Sequence, residues 1–277
     1  YPNDYLYLES PHINNGVSKL ENKKVLFVFG DSWTNNRYVK NPKKHWCYLL
    51  KQKLDYDLVV NISDYYDSNY EIFDCVKKTL SDKDYPMNQQ SYLDKLKEFK
   101  VVIDWSTPMR DSTSVAEMYS PWNAATIPNL DSKKPNTKLW LDYVDRWFRI
   151  EMYSYDTQKR ILFLQEFFNH NKIDWYMFMG FTPLVEKQFH NTKYDLRKWI
   201  DKERFLFLYG FPNNMQDYLI TTLDKKFKED IDINEMQFEN NRLKYFGSHS
   251  NGVFTCDGHP DTKGLELMSD MIYRIIK

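Results

Sequence analysis

Glycine is scarce in this 277-residue chain, with only 8 residues, so the places it occupies carry information. Gly30 stands in Phe29-Gly-Asp-Ser-Trp33, directly after the apolar run Val25–Phe29. Gly258 and Gly264 stand in Asp257-Gly-His-Pro-Asp-Thr-Lys-Gly264, directly before a stretch with helical periodicity. Between them the two blocks hold a hydroxyl, an imidazole and a carboxylate: Ser32, His259 and Asp257. A serine hydroxyl is a poor nucleophile until an adjacent base takes its proton, and an imidazole base needs a third group to orient it. Pro260 fixes the backbone after His259. The residue types for acyl transfer are present; spacing alone leaves open whether they meet in space.

The elements that must position them alternate. Val25–Phe29 is a continuous apolar run ending at glycine, the pattern of a strand buried on both faces. Asn41-Pro42 supplies a cap and a first-turn proline for a helix carrying Trp46, Leu49, Leu50 and Leu54. Leu58–Val60 reads as a second strand. A helix from near Ser68 turns Ile72, Cys75, Val76 and Leu80 inward. A charged helix around Leu93–Phe99 precedes a third strand at Val101–Ile103. Residues 107–145, with Pro108, Pro121, Pro128 and Pro135, break the rhythm and read as an insertion over one edge of the sheet. A helix over 146–170 leads to strands at Trp175–Met179 and Phe205–Tyr209. The last helix, capped by Asp261 or Thr262, places Leu265, Met268, Ile272 and Ile275 on one face. This alternation predicts an α/β fold, a parallel sheet with helices on both faces. Residues 1–22 read as an N-terminal arm and 23–277 as a single domain. In such a sheet ligands bind beyond the carboxyl ends of the strands, where Ser32 falls.

Together, Gly30-Asp31-Ser32 and Asp257-Gly258-His259-Pro260, with Gly264 downstream, resemble the blocks of the SGNH (GDSL-like) hydrolase family. Their order, and their separation of more than 220 residues, fit that family. The resemblance implies a three-layer, flavodoxin-like sandwich around a central parallel sheet, and an ester hydrolase needing neither metal nor cofactor. In that reading Ser32 attacks the ester carbonyl, His259 takes its proton and returns one to the leaving alcohol, and Asp257 orients the imidazole. The oxyanion would be held by the Ser32 backbone N–H, a backbone N–H of a second block and a side chain of a third.

Three departures make this a divergent member. The second block carries Tyr66 or Asp67, within Asn61-Ile-Ser-Asp-Tyr-Tyr-Asp-Ser-Asn69, where the family has glycine. The third ends Asp104-Trp-Ser-Thr-Pro-Met-Arg110 without the family's asparagine. Ser106 or Thr107 could donate a weaker bond there, and Arg110 could supply charge. Losing one oxyanion donor slows catalysis about 10²–10³-fold. The aspartate stands two residues before the histidine instead of three, where Cys256 lies.

Each residue also has a plainer reading. Ser32 can cap a helix, Asp257 suits a turn before one, Arg110 can pair with Asp104 or Asp111, and Trp105 can be core. His45, His170, His190 and His249 lack ligand spacing and read as solvated. The lysines near Lys43 and Lys225 read as solvated helix faces. Aromatics reach 17%; those around Tyr119–Trp122 and Trp140–Trp147 suit sugar stacking or an aromatic core and rim.

A net charge of -1, from 38 basic and 39 acidic residues, gives no electrostatic grip on nucleic acid or anionic lipid. No apolar run approaches the roughly 18 residues of a membrane helix, so neither nucleic acid nor membrane is an expected partner. The cysteines, Cys47, Cys75 and Cys256, read as free thiols. The chain opens at Tyr1, which points to processing or trimming. Two functions stand against each other. One is a serine esterase releasing acetyl or another small acyl group, with a small-molecule or glycan ester as substrate. The other is a decayed hydrolase fold serving as a binding or particle-associated structural protein. A nucleotide-binding flavodoxin-like protein is disfavoured because no phosphate-cradling glycine loop follows the first strand.

Overall fold

A computed structural model describes residues 4–8, 20–35, 39, 41–63, 68–80, 93–108, 149–222, 253 and 259–277. The sheet is built from β1 (Tyr5–Leu8), β2 (Lys24–Gly30), β3 (Leu58–Ser63), β4 (Glu98–Trp105), β5 (Asp174–Met179) and β6 (Phe205–Leu206). All five pairings are parallel and the spatial order is β1-β3-β2-β4-β5-β6. Leaving aside the edge strand β1, the remaining five follow the doubly wound, flavodoxin-like order, in which the chain steps to one side of its first strand and then to the other. The structure is thus a single parallel α/β sheet flanked by helices. The reversal falls between β2 and β4, so the switch point of the sheet lies beside Gly30.

Alternate strand residues face two helical layers. On one face Phe27, Phe29, Val60, Ile62, Val101 and Ile103 pack with Ile72 and Val76 of α2 (Asn69–Leu80) and with Ile161, Leu164 and Phe168 of α3 (Ile150–His170). On the other, Leu26, Val28, Val59, Val102 and Phe178 meet α1 (Trp46–Lys53), α4 (Met215–Thr221) and α5 (Thr262–Ile276). Burying each such side chain contributes about 1.5–3 kcal/mol, which is why uninterrupted apolar runs fold as the central strands. Among the described residues no helix is long and apolar enough to cross a membrane.

Several expectations are corrected. Part of the segment read as an arm is the edge strand β1, in register with Val59–Ile62 of β3. Of the charged helix expected around Leu93–Phe99, only Leu93 is helical. Asp94 and Lys95 form a turn, and Glu98 and Phe99 already belong to β4. There the backbone bonds outward, Asn22 N–H to the Lys95 carbonyl (2.9 Å) and Lys97 N–H to the Lys23 carbonyl (3.0 Å), so pairing with β2 wins over helix. The strand expected at Phe205–Tyr209 stops at Leu206, because Phe207 turns to a left-handed φ of 64°. On α5 the buried residue of the last turn is Ile276, while Ile275 is exposed. The expected insertion lies almost wholly outside the described residues, as do the aromatic clusters within it, Lys225, Cys256 and His249. His170 and His190 are exposed.

His45, expected in solvent, is fully buried. Asn41 caps only a short 3₁₀ turn, and α1 begins afterwards, where His45 Nδ1 accepts from the Cys47 N–H at 3.4 Å. Burial pushes its pKa down to about 3, partly offset by the Trp33 carbonyl. The folded state therefore holds a neutral ring that the unfolded chain would protonate below about pH 6.5. Its contribution is full above that pH and drains away as the pH falls toward 3. Compared with His45→Asn, the native chain is expected to lose about 2 kcal/mol more unfolding free energy between pH 7.5 and 5, read by urea denaturation; parallel pH profiles would refute the neutral, buried ring.

Gly264, in the first turn of α5, marks a close approach. A Cβ there would stand 2.2 Å from the Val253 carbonyl oxygen and 3.1 Å from the Pro260 Cβ. Gly264→Ala is expected to destabilise the fold by about 1–3 kcal/mol, the range for overpacking. An unchanged urea midpoint would show that α5 does not press on Val253.

Candidate active site

The turn after β2 presents Ser32. Asp31 builds it twice over. Its carbonyl accepts the Thr34 and Asn35 N–H groups at 3.0 and 2.8 Å, and its Oδ1 accepts the Trp33 N–H at 3.0 Å. Such an Asx turn is the local bond that aspartate forms more readily than most residues. Trp33 is buried against Phe181, ring centroids 4.6 Å apart, and its carbonyl accepts the Trp46 indole N–H at 3.1 Å. Ser32 is 4% exposed. Its Oγ makes no hydrogen bond to any described residue, so it is not a helix cap. Burying a hydroxyl without a partner costs about 1–3 kcal/mol.

Beneath the turn lies Asp104, the penultimate residue of β4 and fully buried. Thr34 Oγ1 donates to Asp104 Oδ2 at 2.9 Å. Asn61 of β3 donates through Nδ2 to the Thr34 carbonyl at 2.7 Å and to the Tyr5 hydroxyl at 2.8 Å, and accepts from Ser63 Oγ at 2.9 Å. The Cys47 thiol is pushed well up by burial and then by the negative charge of Asp104, so it stays protonated.

On the neighbouring strand end stand the two candidate oxyanion donors of the third block. Ser106 is fully buried and its Oγ has no partner among the described residues. Thr107 is also buried, and its Oγ1 accepts from Thr182 Oγ1 at 3.1 Å. The Ser106 carbonyl is tied by Asn69 of α2, whose Nδ2 donates to it at 3.0 Å and to Thr157 Oγ1 at 3.2 Å. Ser32 and Ser106 thus follow adjacent parallel strands at the switch point. Tyr66, Asp67, Arg110 and Asp257 lie outside the described residues. Trp105 is core, with no exposed surface.

His259 precedes α5 and is half-buried. Lys100, near the start of β4, donates to the Ile276 carbonyl at 3.3 Å, which pins the last turn of α5 to the amino end of the sheet. A helix of 15 residues rises about 22 Å, so its first turn, and the residues before it, reach the carboxyl end. Asp261 caps it, Oδ1 accepting from the Thr262 N–H, and the Asp261 N–H donates to the Val253 carbonyl at 2.8 Å. Ser32 and His259 stand at the same end of the sheet, with no hydrogen bond between Ser32 Oγ and the imidazole. Among the described residues no group of three or more His, Cys, Asp or Glu side chains could hold a metal ion.

The supporting polar residues, Thr34, Asn61, Asn69 and Asp104, were not singled out as functional from sequence. The usable signal was a polar residue inside an apolar strand run: Asn61 after Leu58-Val-Val60, and Asp104 after Val101-Val-Ile103.

No family model matches this chain, and no curated protein matches it. Among solved structures, it is similar to one described as a lipolytic protein of the G-D-S-L family from Desulfitobacterium hafniense DCB-2. That structure is 12% identical, with a TM-score of 0.39, and the likeness covers 91% of this chain and 99% of that one. A second, described as a member of the lipolytic protein G-D-S-L family from Veillonella parvula DSM 2008, is also 12% identical, with a TM-score of 0.35 over 91% and 97% of the two chains. Their shared family name is that of the family the two sequence blocks resemble. The α/β assignment itself rests on this chain's own strand order, with its reversal beside the Ser32 turn.

Proposed function

We propose that this chain is a serine-dependent ester hydrolase that releases a small acyl group, acetyl being the simplest, from an alcohol that can be a carbohydrate. The observation that carries the reading is the Ser32 hydroxyl. It is buried, unpartnered among the described residues, and set on a tight turn where doubly wound sheets bind their ligands. In the proposed reaction the Ser32 oxygen bonds to the ester carbonyl carbon as its proton passes to His259, which Asp257 orients. The tetrahedral intermediate then collapses, the carbon–alkoxide bond breaks, and the imidazolium gives its proton to the departing alcohol. Water repeats the sequence on the acyl-enzyme, releasing the carboxylic acid and restoring Ser32.

For the oxyanion, the Ser32 backbone N–H and an N–H near Tyr66 or Asp67 would be joined by a side-chain donor. Ser106, whose hydroxyl has no partner among the described residues, or Thr107, whose hydroxyl oxygen accepts from Thr182 and keeps its own proton, would supply that donor. Arg110 would add positive charge. Serine–base bonds are often long in empty sites and tighten when substrate binds, which accounts for the open Ser32 hydroxyl. The same openness also fits the second reading, a non-catalytic binding or structural protein on this fold.

Purified protein is expected to hydrolyse p-nitrophenyl acetate and to react stoichiometrically at Ser32 with a fluorophosphonate. Ser32→Ala is expected to lower the rate by about 10³-fold or more. A native protein that neither turns over ester nor takes the label would leave the non-catalytic reading standing. Equal rates for Ser32→Ala and parent would remove Ser32 from the chemistry.

A further inference from the structure

We propose that Asp104 is a positioning residue: its buried carboxylate holds the Ser32 turn in place through the Thr34 hydroxyl. This rests on the serine-hydrolase reading above and adds to it what fixes the nucleophile before substrate arrives.

Asp104 touches both ends of the turn. At the exit, Thr34 Oγ1 donates to Asp104 Oδ2 at 2.9 Å. At the entrance, Gly30 lies so close that a Cβ there would stand 2.9 Å from Asp104 Cβ and 2.4 Å from Thr34 Oγ1. On the far side, a Cβ at Gly180 would stand 2.7 Å from Asp104 Oδ1. Two of the chain's 8 glycines therefore make the room in which this carboxylate and hydroxyl meet. Thr34 is anchored at three points, since its N–H donates to the Asp31 carbonyl (3.0 Å) and its carbonyl accepts from Asn61 (2.7 Å). Ser32 lies between the two contacts with Asp104.

Packing alone does not explain a carboxylate here. Val102, two residues earlier on the same face of β4, packs as an ordinary core residue. Burying an ionised carboxylate is costly unless its oxygens are bonded. A carboxyl oxygen gives the Thr34 hydroxyl a fixed acceptor, and a hydroxyl bound to an ionised carboxylate holds about twice as firmly as one bound to a neutral acceptor. A turn held that firmly keeps Ser32 Oγ in attack geometry, and misplacing a reacting atom by about 1 Å can cost 10²-fold in rate. Neither Thr34 nor Asp104 is exposed, so substrate binding itself is not expected to depend on them.

The test compares Thr34→Val, Thr34→Ser and Asp104→Asn with the native protein in two measurements: p-nitrophenyl acetate kinetics, and amide hydrogen exchange at Thr34 and Asn35. Thr34→Val is expected to lower kcat by about 10–100-fold with KM within about twofold, and to speed exchange at both amides by about tenfold or more. Thr34→Ser, which keeps the hydroxyl, is expected to restore both. Asp104→Asn, which keeps an acceptor but not the charge, is expected to fall between. Native values in Thr34→Val, or no rescue by Thr34→Ser, would overturn the proposal. Should Thr34→Val fail to fold, Asp104→Asn gives the same two readings, and native values there would overturn it equally. If the native protein turns over no ester, the hydrolase reading fails by itself, and the exchange measurements still decide whether these residues hold the turn.

Discussion

A buried carboxyl group sets the terms for everything around the Ser32 turn. Asp104 has no exposed surface, and a carboxylate in that position is tolerable only while its oxygens are bonded. For Oδ2 the chain meets that requirement locally. A threonine at the end of the turn supplies a hydroxyl donor, and Gly30 at the end of β2 and Gly180 just beyond β5 leave the space. The neighbouring Cys47 is held as a neutral thiol and adds no second charge. The constraint reaches β3, because Asn61 ties the same threonine to the edge strand through Tyr5. A substitution at Gly30, Thr34, Asn61 or Gly180 would thus act on one shared unit, and their effects should not add as independent sites do.

A second constraint comes from the parallel sheet. In this winding, helices return antiparallel to their strands, so every helix starts at the carboxyl end. That is how α5, anchored by Lys100 at its far end, carries His259 back to the rim reached by Ser32 more than 220 residues earlier. The amino end of the sheet has a different character. There Asp174 pairs with both Lys100 and Arg204 at 2.6 Å, and these cations also lie over the Tyr176 ring. The last turns of α3 and α5, which expose backbone carbonyls, end in the same region, lined by Asn169, Lys172 and Ile276. Positive side chains there answer helix C-termini and a carboxylate, so that end reads as structural.

The layered framework was legible because each central strand is an apolar run and each of α1, α2 and α5 has an apolar face. Leu265, Met268 and Ile272 are an example: their spacing determines the buried face of α5, and only the final residue shifts, from Ile275 to Ile276. What could not be read was local competition. Nothing within Leu93–Phe99 shows that its backbone pairs with residues 22 and 23, so a helix-forming composition was misleading there. β1 escaped notice for a similar reason. Its four residues are too few for a pattern, and only pairing with β3 makes them a strand. His45 looked like a surface histidine because composition does not tell which residue follows a 3₁₀ turn into the core. At the site, Ser32, His259, Ser106 and Thr107 were legible as residue types, whereas the Asp104–Thr34 bond spans 70 positions and has no sequence signature beyond a polar residue in an apolar strand.

Several buried polar atoms without a partner lie near the Ser32 turn. Native proteins leave few buried polar atoms unpaired, and each that remains calls for a physical reason. Ser32 Oγ, Ser106 Oγ, Asn69 Oδ1 and Gln216 Nε2 are buried without a partner among the described residues. They come from four segments that meet at the carboxyl end. Ser32 and Ser106 follow adjacent strands, Asn69 holds the Ser106 carbonyl, and the Gln216 N–H binds the carbonyl of Gly180 just beyond β5. Under the hydrolase proposal, an ester with its developing oxyanion would be the polar ligand that completes these groups. On this view the rigid turn over Asp104 and the unsatisfied atoms around it are complementary: the first fixes where the hydroxyl stands, and the second leaves it available to react.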